Sequence, residues 1–216
     1  IGRRLVRHLV GRGGTPVALS RHPVDVGTAR QVLADDYSDV ASLTRQLNGV
    51  DALVHLAARA HQDSAGAADA ALFHAANVET TLDVARACIA AGVRRFVLVS
   101  SIGVNGNRST LPFTERDQPA PAEPYAVSKW EAERALSDLL AGSTTDCVIV
   151  RPPLLYGPHM RGNMLRLFHL VQKGLPLPFA SIRNARDILF VGNLADLVEV
   201  LVRHPRAAGH VYLARD

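Results

Sequence analysis

The sequence predicts an α/β fold built on a doubly wound parallel sheet, with helices covering both of its faces. Two patterns predict it: short apolar runs alternate with helical patterns along the chain, and each run is almost continuously apolar. Strands that lie between two layers of helices need apolar side chains on both faces, so such runs are typical of parallel pairing. Because the crossovers are right-handed, we expect the carboxyl ends of the strands along one edge, where such sheets form a ligand cleft.

Composition and charge are those of a globular protein. The 216 residues are 48% hydrophobic and 20% charged, which is enough for one well-cored domain. The net charge of +4 comes from arginines scattered along the chain, which indicates a solvated surface and argues against nucleic acid as a partner. No apolar run reaches the roughly 18 residues of a membrane helix, so no membrane partner is expected.

The cysteines and histidines argue against disulfide and metal sites. Cys88 and Cys147 lie in separate predicted elements, which indicates buried thiols in a reducing compartment. Since no secretory signal stands at the start of the sequence, we expect a cytoplasmic protein. The nine histidines show no ligand spacing, so the sequence predicts no metal site.

The first elements follow one another closely. Apolar residues at helical spacing over 5–10 predict an amphipathic helix, and the glycines at 11–14 end it. Ser38 or Asp39 is placed to cap a second helix, and Gly49 stops that helix. The predicted strands of this part span 16–20, 29–34 and 51–58, and its further helices span 38–47 and 68–91.

The second half continues the alternation and then changes. Strands are predicted at 95–101 and 146–151, with a helix at 125–140 between them, and Pro152 and Pro153 break the later strand. This arrangement predicts a main domain over 1–158 and a small lobe over 159–216, interleaved with a return to the main sheet. The elements predicted after Pro158 are a helix at 161–173, an extended piece at 188–191, a helix from 193 or 196 to about 204 and a strand at 211–214.

Three side chains lie between the fourth strand and the helix that follows it. Tyr125 and Lys129 are four residues apart and share one face of that helix. Ser100 and Ser101 both lie at the carboxyl end of the strand, where this fold holds ligands, so the strand end supplies a serine hydroxyl. Only Lys129 and Lys173 are lysines among 24 basic residues, and arginine cannot replace a compact ammonium beside a phenol. The three side chains offer a proton donor, a cation and a hydroxyl, although a Tyr-x-x-x-Lys pair alone also occurs on exposed helices.

Several motifs together make the chain similar to a known family. It resembles the extended short-chain dehydrogenase/reductases of the nucleotide-sugar epimerase/dehydratase group over essentially its whole length. The resemblance implies an NAD(P)-binding Rossmann fold, with a dinucleotide-binding domain over 1–158 and a partial substrate-binding lobe over 159–216. The motifs are HLAA at 55–58, Asn77, VSSIGVNG at 99–106, PYAVSK at 124–129, RPPLLYGP at 151–158 and VGNLAD at 191–196.

The chain departs from the family pattern at both ends. Family members carry an N-terminal strand followed by a Gly-x-x-Gly-x-x-Gly turn, of which only Gly2 matches here. They also continue beyond the position of Asp216. The resemblance therefore implies that this sequence lacks the first strand and the C-terminal end of the family fold.

The resemblance implies NAD or NADP as the cofactor. NAD-preferring members carry an acid after the second family strand, whereas this chain has Arg21, which can accept a 2′-phosphate, stack on adenine or face solvent. Asp36 matches the family acid that contacts adenine, although it can also cap a helix. The implied cofactor-binding residues are Gly2, Ser20, Arg21, Asp36, Ala57, Ala58, Asn77, Ser100, Tyr125, Lys129 and Pro152.

The same resemblance implies hydride transfer at a sugar carbon, with C4 of a UDP-sugar as the expected position and Ser101, Tyr125 and Lys129 as catalytic residues. Tyr125 would move the proton, and Lys129 is expected to lower the pKa of its phenol. Ser101 would hydrogen-bond the reacting sugar oxygen. The implied partner is a nucleotide diphosphate sugar, and its expected ligands are Asn163, Arg183 and Arg186.

Three activities remain open on this fold. A keto-sugar reductase or dehydrogenase would transfer hydride once, whereas a 4-epimerase with tightly bound NAD would oxidise and re-reduce the same carbon. Asn105 stands where most epimerases have tyrosine, which favours reduction, as does the similarity of several segments to bacterial enzymes of surface-polysaccharide synthesis. A non-catalytic dinucleotide sensor is disfavoured because the tyrosine and the lysine are both retained. Family members often pair through the long helices beside the tyrosine strand, so the resemblance also implies a homodimer.

Overall fold

The computed structural model describes residues 1–60, 67–158, 160, 163–174 and 185–216. Within these ranges every paired strand runs parallel to its neighbour, which confirms the predicted α/β class. No helix in this part of the chain is long and apolar enough to span a bilayer. The helices are α1 (Gly2–Gly11), α2 (Val40–Gln46), α3 (Ala67–His74), α4 (Thr80–Ala91), α5 (Pro124–Leu140), α6 (Asn163–Gln172) and α7 (Val191–Arg203). The strands are β1 (Val17–Ser20), β2 (Arg30–Leu33), β3 (Ala52–His55), β4 (Arg95–Val99), β5 (Asp146–Arg151), β6 (Leu154–Tyr156), β7 (Ile188–Phe190) and β8 (Val211–Leu213).

The sheet that positions the candidate site has four strands, in the order β3-β4-β5-β8. β4 lies between β3 and β5, and all five of its residues are buried. β1 and β2 form a separate parallel pair, and in the described part of the chain no strand pairs with the other edge of β1 or of β3. The parallel pairing expected from the sequence is therefore confirmed, and the sheet is divided into two parts between β1 and β3.

Helices cover both faces of the four-stranded sheet. Side chains alternate along β4, so that Phe96 and Leu98 point to one face and Val97 and Val99 point to the other. The first face packs against α2, α4 and α5, and the second face packs against α1 and α7. Burying one such side chain contributes about 1.5–3 kcal/mol relative to leaving it exposed, so β4 is a firmly held support for whatever lies at its carboxyl end.

The prediction of a single long helix over 68–91 is wrong in one respect. A π-helical turn, Ala75–Glu79, joins α3 to α4. The hydroxyl of Thr81, in the first turn of α4, donates to the carbonyl of Asn77 within this turn at 2.6 Å. Such wide turns change the direction of a side chain, and here the amide of Asn77 is fully buried. Periodicity does not reveal the turn, because the apolar spacing on both sides of it is helical.

A short strand that was not predicted from the sequence follows the two prolines after β5. Pro152 and Pro153 have no N–H to donate, so the ladder between β5 and its neighbours ends at Arg151. The chain resumes as β6, which pairs in parallel with β7 instead of joining the main sheet. α7 begins at Val191, directly after β7 and earlier than predicted.

Gly157, at the end of β6, allows that strand to lie close to the start of α7. Its φ is 140°, which disfavours any residue with a Cβ, and a Cβ there would lie 2.6 Å from Val191 Cγ1. We expect Gly157→Ala to lower the free energy of unfolding by about 2–4 kcal/mol, because overpacking and backbone strain act together. Gly11→Ala is the matched control, since Gly11 is helical with open space around it. Urea unfolding of both variants checks this, and equal stabilities would contradict it.

Candidate active site

The carboxyl ends of β4 and β5 hold the loop that carries Ser101. The N–H of Ser100 donates to the carbonyl of Val150 at 2.7 Å, just beyond the last paired residue of β4. Two residues later, the N–H of Ile102 donates to the carbonyl of Pro152 at 3.0 Å. The loop is therefore fastened on both sides of Ser101, at the sheet edge where parallel α/β folds bind ligands.

Ser101 precedes a short 3₁₀ helix, Ile102–Val104, and its side chain caps that helix. Ser101 Oγ accepts from the N–H of Gly103 at 3.2 Å, and among the described residues its own proton has no acceptor. A Cβ on Gly103 would lie only 3.2 Å from Ala126 Cβ, so the loop packs directly on the first turn of α5. Ser101 thus lies beside the helix that begins with the tyrosine, with its hydroxyl proton available to a ligand.

The head of α5 carries Tyr125 and Lys129. Pro124 opens the helix, where its fixed φ is favourable and its missing N–H leaves no bond unmade. Tyr125 is half-buried, with its ring 6.1 Å from the ring of Phe73 in α3, whereas Lys129 is only 1% exposed. In the described ranges of the chain, neither the phenol hydroxyl nor the ammonium has a hydrogen bond or an ion pair. Both groups are therefore available to a polar ligand.

Burial dominates the electrostatics of this pair. Loss of water lowers the pKa of Lys129 to about 8, and the carboxylate of Glu133, one turn further along α5, opposes this lowering. Burial also raises the pKa of Tyr125. Burial alone is the cause of this shift, and the expected lowering of the phenol pKa by Lys129 stays a prediction.

Two more buried polar atoms have no partner where β3 and β4 end. Among the described residues, Ser100 Oγ and His55 Nε2 make no hydrogen bond although both are sealed from water. Leaving such an atom unpaired costs about 1–3 kcal/mol, so each one calls for an explanation. Burial and the charge of Lys129 lower the pKa of His55 to about 3, which keeps its ring neutral. A buried hydroxyl and a buried ring nitrogen without partners thus lie at the strand ends, in the same part of the fold as Lys129.

Asn77 joins the segment after β3 to α5. Its Oδ1 accepts from the N–H of Arg59 at 2.8 Å, and its Nδ2 donates to the carbonyl of the same residue at 3.1 Å. Nδ2 also donates to Ser128 Oγ at 2.9 Å, and that hydroxyl donates to the carbonyl of Tyr125 at 2.8 Å. One buried amide thus sets the separation between the tyrosine helix and the segment at 57–58, both of which the sequence associates with the cofactor.

Ser20 and Arg21, expected near the adenosine end of a dinucleotide, lie at the end of β1. Ser20 Oγ donates to the carbonyl of His22 at 2.9 Å and accepts from Gln31 Nε2 at 2.8 Å, so its side chain is engaged within the β1–β2 pair. The exposed guanidinium of Arg21 lies over the ring of Tyr37, 5.9 Å from its centroid. Arg21 is therefore held by an aromatic neighbour instead of extending freely into solvent.

Asp36 takes part in the turn before α2. Its carboxylate accepts from the N–H of Ser38 at 2.8 Å and from the Ser38 hydroxyl at 2.7 Å, and these bonds hold the pKa of Asp36 below its usual value. Of the two predicted caps of α2, Asp39 is the one used, since its side chain accepts from the N–H of Ser42. Asp36 therefore has the local structural role that the sequence offered as the alternative to contact with adenine.

The remaining predicted site residues lie at the borders of this region. Gly2 opens α1, and a Cβ there would make an ordinary contact of 3.6 Å with Leu56 Cδ1. Asn163 begins α6, but its side chain lies outside the description, and Arg183 lies outside the described residues altogether. Arg186 is exposed and precedes β7.

Sequence reasoning missed a buried ion pair behind the site. Glu133 on α5 and Arg151 at the end of β5 lie 2.6 Å apart at their closest atoms, and both are almost fully buried. The signal was present in the sequence, because a carboxylate follows Lys129 by one helical turn and an arginine ends an otherwise apolar strand. Neither position by itself tells that the two side chains meet.

Comparison with known sequences identifies relatives of the whole chain. Residues 1–214 match the model of the NAD dependent epimerase/dehydratase family. The chain is 36% identical over 221 residues to a UDP-glucose 4-epimerase from Vibrio cholerae, covering all of this chain and 67% of that protein. It is 29% identical over 182 residues to the N-acetyl-alpha-D-glucosaminyl-diphospho-ditrans,octacis-undecaprenol 4-epimerase of Escherichia coli O157:H7, covering 82% of this chain and 53% of that protein. The chain thus spans between about half and two thirds of the length of these curated relatives.

Solved structures agree with this relationship. MoeE5 in complex with UDP-glucose and NAD is 28% identical, with a TM-score of 0.80 over 99% of this chain and 72% of that chain. The dTDP-glucose 4,6-dehydratase DesIV from Streptomyces venezuelae, with NAD and TYD bound, is also 28% identical, with a TM-score of 0.81 over 98% of this chain and 71% of that chain. The match of the family model to almost every residue, together with these likenesses, shows that the chain belongs to the NAD dependent epimerase/dehydratase family.

Proposed function

We propose that this chain carries the catalytic centre of an NAD-dependent enzyme that acts at C4 of a nucleotide diphosphate sugar, and that its reaction is 4-epimerisation. One observation carries the proposal: a buried ammonium and a half-buried phenol share one face of α5, beside a loop whose serine keeps a free hydroxyl proton. Further support comes from two similar proteins that are named 4-epimerases and from two similar structures that contain NAD.

Each of the three side chains has its own task. Tyr125 exchanges a proton with the oxygen on the reacting sugar carbon: its phenolate would accept the hydroxyl proton as hydride leaves the carbon, and the phenol so formed would return that proton when the carbon is reduced again. Ser101 donates its hydroxyl proton to the same oxygen and thereby orients the substrate. The charge of Lys129 favours the phenolate that forms once Tyr125 has given up its proton.

Bound NAD would supply reversible acceptance of a hydride from the sugar carbon. Lys129 and Ser100 would bind its ribose hydroxyls: Ser100 Oγ is buried without a partner among the described residues, and the side chain of Lys129 is 1% exposed and forms no ion pair with them. Asn77, through its side-chain amide, and Pro152, through its backbone carbonyl, fix the two segments that border this space. NAD is proposed in preference to NADP, which Arg21 favoured, because the similar structures contain NAD.

The environment of Asn105 bears on the choice between epimerase and reductase. Its side chain is 3% exposed, accepts from Arg151 and donates to the carbonyl of Thr114 at 3.2 Å. It therefore shapes the loop and does not extend toward a substrate, which weakens the sequence argument that an asparagine here favours reduction. A 4-keto-sugar reductase is the second candidate, since the residue that most epimerases carry at this position is still missing.

Other expectations from the sequence stay part of this proposal. They are the division into a dinucleotide-binding domain over 1–158 and a partial substrate lobe over 159–216, a homodimer, and a cytoplasmic location. Binding of the nucleotide diphosphate by Asn163, Arg183 and Arg186 likewise stays a prediction. Sedimentation of the purified protein would decide the oligomeric state.

Tyr125→Phe should reduce turnover by about 10²–10⁴-fold, because it removes the proton that the sugar oxygen exchanges. NAD affinity should stay nearly unchanged, since the ring and its packing against Phe73 are kept. Tyr212→Phe, in β8, is the matched control and should keep full activity. Sugar interconversion and NAD binding are measured on all three proteins, and comparable turnover in Tyr125→Phe would remove this residue from the mechanism.

Lys129→Met should stabilise the protein while abolishing turnover. The lowering of the Lys129 pKa from 10.5 to about 8 corresponds to roughly 3 kcal/mol of unfavourable burial, which an apolar side chain avoids. The penalty is complete below pH 8, where the lysine is charged in the folded and the unfolded chain. It fades between pH 8 and 10.5, where only the unfolded chain keeps the proton.

Urea unfolding without added dinucleotide tests this at pH 7 and pH 10. The advantage of Lys129→Met should be about 1–3 kcal/mol at the lower pH and smaller at the higher one. Lys173→Met removes the other lysine of the chain, which is exposed, and should leave stability unchanged. If Lys129→Met is no more stable than wild type at pH 7, burial of this ammonium does not destabilise the folded protein, and the prediction is refuted.

Cofactor balance separates the candidate reactions. A 4-epimerase should interconvert UDP-glucose and its C4 epimer with no net change in NADH absorbance, because the same carbon is oxidised and reduced again. A reductase should consume one reduced cofactor per 4-keto sugar. Net consumption without interconversion would replace the first candidate with the second, and neither reaction across a panel of sugar nucleotides would remove both.

A further inference from the structure

A buried ion pair lies one helical turn behind the candidate site. Glu133 is 1% exposed and Arg151 is 3% exposed. The guanidinium of Arg151 forks onto the carboxylate, with Nε 3.0 Å from Oε1 and Nη2 2.6 Å from Oε2. Its remaining nitrogen, Nη1, donates to Asn105 Oδ1 at 2.9 Å. We refer to Lys129, Glu133, Arg151 and Asn105 as the α5 charge cluster.

Stability alone does not account for the α5 charge cluster. Replacing a buried ion pair by apolar side chains of similar volume is often neutral or stabilising, because both ions must leave water. A second buried cation, Lys129, lies one helical turn before Glu133 on the same helix. Among the described residues Glu133 is the single buried carboxylate, and its position four residues after Lys129 puts both on one face of α5. The arrangement is thus suited to acting on the ammonium.

The other titratable groups near the ammonium carry no negative charge. His55, at the end of β3, is neutral because burial lowers its pKa to about 3. Burial raises the pKa of Tyr125, and it raises the pKa of Cys147 on β5 to about 11, so both keep their protons near neutral pH. Arg151 adds positive charge. Glu133 is therefore the group that offsets the burial of Lys129.

We propose that Glu133 is a positioning residue for the reaction: its carboxylate, fixed by Arg151, keeps the side chain of Lys129 charged at the head of α5. The same guanidinium holds Asn105, which follows the loop that carries Ser101. One ion pair thus supports both halves of the site. The catalytic role of the Lys129 charge rests on the proposed function. The effect of Glu133 on the pKa of Lys129 does not, and it can be measured without substrate.

The chain has two lysines, which makes the charge of Lys129 directly measurable. In protein labelled with ¹⁵N-lysine, the Nζ signal of Lys129 is followed by NMR through a pH titration, with the exposed Lys173 as internal reference. Glu133→Gln keeps the volume and one acceptor oxygen but removes the charge. It should lower the pKa of Lys129 by roughly one unit or more.

Glu131→Gln is the matched control for the loss of a carboxylate. Glu131 lies two residues earlier on the same helix, but its side chain is 47% exposed and faces His74. This variant should leave the titration of Lys129 unchanged. An unchanged titration in Glu133→Gln overturns the proposal, and so does an equal shift in the Glu131 control.

A second variant covers the case in which Glu133→Gln fails to fold. Glu133→Asp keeps the carboxylate and shortens its stem, so the lysine should titrate close to its wild-type pH. A fall of one unit or more in this variant overturns the proposal, because the charge would then not be what acts on Lys129. Retention of the wild-type titration supports it.

The pH profile of kcat adds a readout that a purely structural role would not move. Turnover should fall as the pH rises through the pKa of Lys129, since the ammonium is then lost. In Glu133→Gln this limb should move to lower pH by the shift found by NMR, and in Glu133→Asp it should stay in place. The NMR titration needs no substrate. If the wild-type protein shows no turnover, the proposed function is refuted. If the pKa of Lys129 is the same in wild type and Glu133→Gln, only this inference is refuted.

Discussion

The buried ammonium of Lys129 is the constraint on which the rest of the site depends. An isolated cation at 1% exposure is unfavourable, and its pKa is lowered to about 8 as a result. The protein tolerates the charge because a carboxylate lies one turn away on the same helix and because the side chain ends near other buried polar atoms. A site of this kind is less stable empty than an apolar one, which is the usual cost of a group kept for binding or chemistry.

The surroundings of this ammonium are rigid for identifiable reasons. β4 is buried along its whole length, and backbone hydrogen bonds to Val150 and Pro152 fasten the serine loop to β5. The amide of Asn77 fixes the opposite border through bonds to Arg59 and Ser128. The bond from Asn77 to Ser128 is fully buried, so its loss would leave a buried polar atom unpaired. Chemical groups held in this way keep their relative positions when a substrate arrives.

The two parts of the sheet differ in how they contribute. The four-stranded part supplies the serine loop and the support for the tyrosine helix, and helices cover it on both faces. The β1–β2 pair carries Ser20 and Arg21, whose side chains are engaged locally with His22 and Tyr37. Residues assigned to one cofactor by family resemblance therefore lie in two sheets that share no strand pairing in the described part of the chain.

Most of the fold was predictable because its signals are local. The alternation of apolar runs with helical patterns predicted the strands and helices of the main sheet to within a few residues, and the glycine that ends α4 adopts the left-handed conformation expected of a C-cap. The exceptions had physical causes that periodicity does not record. A π-helical turn keeps the apolar spacing around it, and β6 is a three-residue strand that follows two prolines.

By itself, the sequence determined which side chains share a helix face and which lie at strand ends, because both follow from repeats of a few residues. It thereby identified Tyr125, Lys129 and a serine at 100–101 as candidates, and the family resemblance selected Ser101. The tertiary structure decided what depends on distant residues and on exclusion of water. Glu133 and Arg151 are 18 residues apart and Asn77 and Ser128 are 51 apart, so no local pattern joins them. The burial that raises the pKa of Tyr125 was also decided there, since burial is a property of the packed molecule.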